Sequence, residues 1–144
     1  MKKKKPALVV LLASILMLGM NLTTFGESYS EPGFANVFTE SGIEDLTVTV
    51  PSGATTWAFV YAENNAYAHV SGGSFWISAE SAEPSEIEFC YGENPDFQCT
   101  TIGWESSIDY REAEGSSGSY DLYAESAGPT YGGLSSFAEA LLEW

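Results

Sequence analysis

His69 is the only histidine in the chain, so any chemistry run through an imidazole must be built around it. A Ser-His-Asp triad needs that histidine, an activated serine and an orienting carboxylate. Serines and aspartates are plentiful, but no Gly-x-Ser-x-Gly elbow sets a nucleophile on a sharp turn. His69 falls instead in the smooth run Trp57 to Val70, across from Val60, where a plain strand histidine is expected. Among 20 Asp and Glu residues, no spacing singles out an acid and a base for glycoside cleavage. The expectation is a protein that is not an enzyme.

Cys90 and Cys99 are the only cysteines, and an even pair in an exported chain reads as a disulfide. Zinc is disfavoured, because two thiols and His69 lack a fourth soft ligand and the short Cys-to-Cys spacing. Between the cysteines, Glu93, Asn94 and Asp96 put oxygen-bearing side chains into one constrained loop. They are the candidate ligands for calcium, a hard cation. The competing reading is a solvated polar turn, with Asn94-Pro95-Asp96 chosen for its bend, and no Asp-x-Asp-x-Asp-Gly loop is present. Tyr67, His69, Trp76, Tyr91, Trp104 and Tyr123 form the candidate binding surface, since flat aromatic rings serve sugars and polypeptides alike.

The elements that must position these residues read as strands. Leu46 to Val50 alternates with period two and stops at Pro51-Ser52-Gly53. Trp57 to Val70 reads as a hairpin about Asn64-Asn65, two residues that tolerate left-handed backbone. One side of it carries Trp57, Phe59 and Tyr61 with Ala68 and Val70, and the other Ala58, Val60, Ala62, Tyr67 and His69. Ser74 to Ser78 is a further strand. Glu86 to Tyr91 and Phe97 to Ile102 pair with Cys90 opposite Cys99, which places Ile87 across from Ile102 and Phe89 across from Thr100 on a core face. Closing so short a loop contributes about 2–3 kcal/mol in the chain-entropy model. Gly103 to Gly118 reads as a polar connection, Tyr120 to Ala124 as a strand, and Tyr131 to Leu134 as the last strand. The tail from Ser136 carries a Ser-x-x-Glu box with Phe137, Leu141 and Trp144 at helical spacing, which predicts a short C-terminal helix. Together these give an all-β, antiparallel two-sheet β-sandwich, jelly-roll-like.

Composition sets the compartment. Lys2 to Lys5 and the apolar run Ala7 to Leu18 read as an export signal, with cleavage after Gly26; an uncleaved N-terminal anchor is the competing reading. The expected organisation is a signal peptide over 1–26, an N-terminal arm over 27–43 and the sandwich domain over 44–144. The formal charge is −15, and four of the five basic residues lie in the signal. Arg111 then stands alone against 20 carboxylates. Such a domain repels phosphate backbones and anionic lipid, which excludes nucleic acid and an anionic membrane surface as partners. A soluble exported surface and a cation-gathering surface remain as readings of the acidity.

Three stretches resemble, in order, the bacterial pre-peptidase C-terminal domain. They are the valine-rich strand closed by Pro51-Ser52-Gly53, the segment Cys90-Tyr91-Gly92-Glu93-Asn94-Pro95-Asp96-Phe97-Gln98-Cys99-Thr100, and Gly118-Ser119-Tyr120-Asp121-Leu122-Tyr123-Ala124-Glu125-Ser126-Ala127-Gly128. The resemblance spans about Leu46 to Ser135. It implies a jelly-roll-like sandwich of the kind attached to exported hydrolases, where it assists secretion, maturation or substrate binding. Ser74-Phe75-Trp76-Ile77 stands where that family has Asp-Ala-Asp-Leu-Tyr-Val, and the expectation is a stand-alone copy whose role in a host enzyme would act between chains. The expected function is a secreted, non-catalytic accessory or binding module for a protein or extracellular polymer. The alternatives are a secreted protease inhibitor or intermolecular chaperone, and a structural cell-surface subunit.

Overall fold

A computed structural model of the chain describes residues 26–93, 95, 96, 98–130 and 132–144. The export-signal reading falls on residues outside this set, apart from Gly26. Among the described residues the chain forms strands and no helix: β1 (Gly26–Glu31), β2 (Phe34–Thr39), β3 (Gly42–Glu63), β4 (Ala66–Gly72), β5 (Phe75–Ser81), β6 (Ser85–Tyr91), β7 (Gln98–Glu105), β8 (Ile108–Ser126) and β9 (Phe137–Glu143).

The strand order is β1-β2-β9-β3-β8-β4-β5, with β6 and β7 as a separate pair. All pairings are antiparallel. Two long strands make this order into two layers. β3 and β8 run together throughout, but their register breaks between Val50 and Thr55. β9 takes only residues 57–63 of β3, and β4 takes only residues 120–126 of β8. Gly53 (φ 86) and Gly118 (φ 146) lie at the bend in conformations that L side chains rarely adopt. One layer is thus β1-β2-β9 with the second half of β3 and the first half of β8. The other is the remaining halves of β3 and β8 with β4 and β5. This is the expected antiparallel β-sandwich.

Its interior is made of small side chains. Ala35, Val37, Ala58, Val60, Ala138 and Ala140 from one layer meet Ala68, Val70, Ala79 and Ala124 from the other, all fully buried. Tyr120, Leu122 and Leu142 are the larger fillers. Tyr120 apart, the core is filled by small and aliphatic side chains, and period-two alternation turns Trp57, Phe59 and Tyr61 of β3 and Tyr67 and His69 of β4 outward.

Several expectations are corrected. Residues 27–43 are not an arm: they form β1, β2 and the start of β3. Pro51-Ser52-Gly53 bends β3 without ending it. β3 and β4 are not a hairpin, because β8 lies between them in the sheet order, and Ala68 and Val70 face the core with Ala58, Val60 and Ala62 instead of siding with the rings of β3. Asn64 (φ 54) and Asn65 (φ 69) do adopt left-handed backbone, but they carry the chain from one layer to the other. Gly103 to Gly118 is mostly strand, the end of β7 and the first half of β8. Gly132 to Leu134 are not strand, and Tyr131 lies outside the described residues.

The C-terminal helix is also corrected, to strand β9. Phe137–Glu143 pairs with β2 on one side and β3 on the other. Ala138, Ala140 and Leu142 fill the core from this strand. Two ladders satisfy its backbone and one face seals the interior, which a seven-residue helix could not match. Ser136, the expected helix cap, instead donates to the Asn65 carbonyl at 3.1 Å.

Candidate functional surfaces

The outer face of the β4–β5 layer gathers four of the residues expected to bind. Alternation turns Tyr67 and His69 of β4 outward because Ala66, Ala68 and Val70 fill the core. His69 stands between Ser78 of β5 and Tyr123 of β8. Its ring stacks on Tyr123 at 5.0 Å and 9°. It meets Tyr67 at 5.7 Å and Trp76 at 6.0 Å, both edge-on. Trp76 is 69% exposed.

Carboxylates edge this cluster. His69 Nε2 lies 3.6 Å from Asp121 Oδ2, and His69 Nδ1 is buried without a hydrogen-bond partner. Tyr123 donates to Glu125 Oε2 at 2.9 Å. Burial, then that bond, raises the Tyr123 phenol above its ordinary range. A shallow depression of about 230 Å³ at one end is lined by Tyr67, Glu80 and Glu125 among others. That volume is below the range of enclosed small-molecule sites, so this depression by itself does not enclose a drug-sized ligand.

Tyr91 and Trp104 lie elsewhere, on the β6–β7 ribbon. Neither ribbon strand packs on another strand of the described chain. Cys90 and Cys99 sit directly opposite, 4.0 Å apart at Cα and joined as a disulfide. Phe89 pairs with Thr100 as expected, but a bulge after Ile87 puts Ile87 across from Gly103 instead of Ile102. The expected core face does not exist: Ile87, Phe89, Tyr91 and Ile102 are all exposed. The sandwich closes its core without them. Trp104 is half-buried against Gly132, where an added side chain would collide with the indole.

The calcium reading gains no cluster. Glu93 and Asp96 are exposed, Asn94 lies outside the described residues, and the Asp96 amide donates to the Glu93 carbonyl at 2.6 Å. That bond closes a turn. Among the described residues the only group of potential ligands within mutual reach is Glu88 with Cys90 and Cys99, and its sulfurs are already spent in the disulfide.

A second aromatic surface was not singled out from the sequence. On the outer face of the other layer, Trp57, Phe59 and Tyr61 stack along β3 at 6.1 and 6.5 Å. Phe137 continues from Tyr61 at 6.0 Å, and Phe38 from Phe137 at 6.2 Å. All five are half-buried. Beneath them lie Leu141 and the carboxyl of Glu139, which is only 3% exposed. Asn36 Nδ2 donates to Glu139 Oε1 at 2.6 Å. Burial nonetheless pushes this acid up to about 7. Tyr61, desolvated and donating to Glu63 at 3.0 Å, is pushed up to about 12. The signal for this face was the run of Ala and Val opposite the rings. It identifies the inner side once small residues on β4 and β9 are seen to match it.

Comparison with family models, with curated proteins and with solved structures finds no match for this chain.

Proposed function

We propose that the chain is an exported, non-catalytic binding module that holds an extracellular protein or polymer against Tyr67, His69, Trp76 and Tyr123. The observation that carries this reading is Trp76, which leaves most of a large ring in water edge-on to His69, itself stacked on Tyr123. Ring faces take sugar rings or apolar side chains, and the carboxylates and phenols around them orient polar groups. Export is supported by the Lys2 to Lys5 and Ala7 to Leu18 pattern and by the disulfide. The resemblance to the pre-peptidase C-terminal domain supports an accessory role, and the sandwich agrees with it in fold class alone.

The arrangement around His69 favours binding over catalysis. A triad imidazole holds a carboxylate with one nitrogen and a nucleophile with the other. Here Asp121 faces Nε2, and Nδ1 is buried with no partner. Affinity electrophoresis through gels containing polysaccharides or gelatin tests the reading. Retardation that Trp76→Ala removes supports it. Free migration in every gel, with no partner recovered from culture medium, contradicts it.

The ribbon favours a second reading, a protease inhibitor or intermolecular chaperone. A disulfide-closed hairpin with Ile87, Phe89, Tyr91 and Ile102 in water is suited to docking on a protein. Inhibition of a co-secreted protease that disappears in Phe89→Ser would put this reading first.

A further inference from the structure

We propose that the outer face of the β1-β2-β9-β3-β8 layer is a second docking surface, whose occupant is an extended polypeptide rich in arginine or lysine. The strand registers lay this face out in rows. Phe38, Glu139 and Tyr61 form one row with Glu27 at its β1 end and Tyr110 at its β8 end. Asn36, Leu141 and Phe59 form the next, ending in Glu112. Phe34, Glu143 and Trp57 form the third, between Glu31 and Glu114. Glu27 and Glu31 on β1 and Glu112 and Glu114 on β8 flank the rings, Tyr29 and Tyr110 share those margins, and Glu139 and Glu143 stand on the central strand β9.

No cation of the described chain answers these glutamates. Arg111 is the only Lys or Arg in residues 26–144. It pairs with Val60, a core residue, and so belongs to the opposite side of β8, where it bonds Asp109 and the Tyr110 carbonyl. A second copy of the chain brings the same acidic face and is repelled. A neutral sugar would use the rings but leave the glutamate margin without a role. Arginine and lysine use both, laying an apolar stem on the rings and a cationic head against ring faces and carboxylates.

The geometry also suits an extended chain. The surface is a sheet face laid out in strand rows. Rings recur along β3 at 6.1 and 6.5 Å, close to the spacing of about 6.8 Å between alternate side chains of an extended peptide. A bound segment running along β3 places every second side chain over a ring.

The test is calorimetric titration of the protein with a peptide of alternating arginine and serine, at low salt. A matched peptide carrying citrulline in place of arginine is the neutral control. The proposal expects binding of the arginine peptide and none of the citrulline peptide. Phe59→Ala should weaken it by about tenfold, with folding checked by the melting transition. Glu112→Gln together with Glu114→Gln, both on an exposed edge strand, should weaken it and flatten its salt dependence. Trp76→Ala and Tyr67→Ala, on the other face, should leave it within about twofold. Equal weakening by Trp76→Ala would place the peptide on the face of the β4–β5 layer and overturn the proposal. So would equal binding of the citrulline peptide, binding of neither peptide, or a dimer of the chain that excludes the peptide. The surface of Tyr67, His69, Trp76 and Tyr123 stands or falls separately, because its polymer test reads Trp76→Ala.

Discussion

Asn36 and Glu139 join β2 to β9 by a diagonal hydrogen bond of 2.6 Å, since the residue directly opposite Asn36 is Leu141 and the one opposite Glu139 is Phe38. The amide is the Glu139 carboxyl's partner within a layer of rings, and burial outweighs it. The acid titrates at about 7 in the folded chain, against 4.5 ordinarily. Below both values the group is protonated folded or unfolded and contributes nothing. Between them only the unfolded chain releases the proton, so stability falls as pH rises, and the full cost is present above about 7. That cost is about 3 kcal/mol. Glu139→Gln keeps an acceptor for Asn36 and should be more stable than the parent at pH 8 and equal to it at pH 4. Urea unfolding of both proteins across this range checks the difference, in which the repulsion among the other carboxylates cancels.

The slender core predicts an asymmetry between the two sides of β3 and β9. Ala140→Leu forces a large side chain between layers already closed by Ala and Val, and should cost about 1–3 kcal/mol or prevent folding. Phe59→Leu, on the outer face, should change stability by less than about 1 kcal/mol. Denaturant midpoints of the two variants decide it. Equal losses would mean that the rings, and not the alanines, face inward.

Asn64 ties three segments together from a left-handed backbone position. Its Nδ2 donates to the Ser135 carbonyl at 2.8 Å, and its Oδ1 accepts from the Ser107 amide at 3.1 Å. The Asn64 amide also donates to the Ser107 carbonyl at 2.9 Å. Asn64→Ala loses both side-chain bonds and retains the strained φ, so about 2–4 kcal/mol should go. Asn65 is largely exposed and needs only its backbone shape, so Asn65→Gly should be near neutral. Thermal melts of the two variants give the comparison.

The disulfide acts locally. A closed loop of this length contributes about 2–3 kcal/mol when the whole domain unfolds with it. The β6–β7 ribbon packs on no other strand of the described chain, so its order is weakly coupled to the sandwich. Cys90→Ser with Cys99→Ser should change the main unfolding transition by less than about 1 kcal/mol. The ribbon itself should open to chymotrypsin at Phe89, Tyr91 or Trp104. A large drop in the main transition would show that the ribbon supports the sandwich after all.

Local alternation was legible and long-range pairing was not. The period-two run Leu46 to Val50 turns its leucine and valines inward, and Val48 and Val50 lie in the core with Leu46 packed against it. Cys90 opposite Cys99 followed from the loop between them. Asn64-Asn65 announced a turn, but left-handed backbone serves a hairpin and a crossing between layers equally well. Only the intervening β8, more than 40 residues on, decides between them. The tail from Phe137 to Trp144 fits helical spacing and strand alternation alike, and the vacancy between β2 and β3 selects strand. Of the aromatic candidates, Tyr67, His69, Trp76 and Tyr123 come together because β4, β5 and β8 are neighbours. Tyr91 and Trp104 depart with the ribbon.

The most direct test of the account is fluorescence titration of the wild-type protein and Trp76→Ala with the polymers and secreted proteins of its own culture medium. The account predicts that at least one fraction shifts the wild-type emission saturably, and that Trp76→Ala loses both the shift and retention of that fraction. A wild-type protein that no fraction perturbs, or a variant that retains the fraction as tightly as the parent, would contradict it.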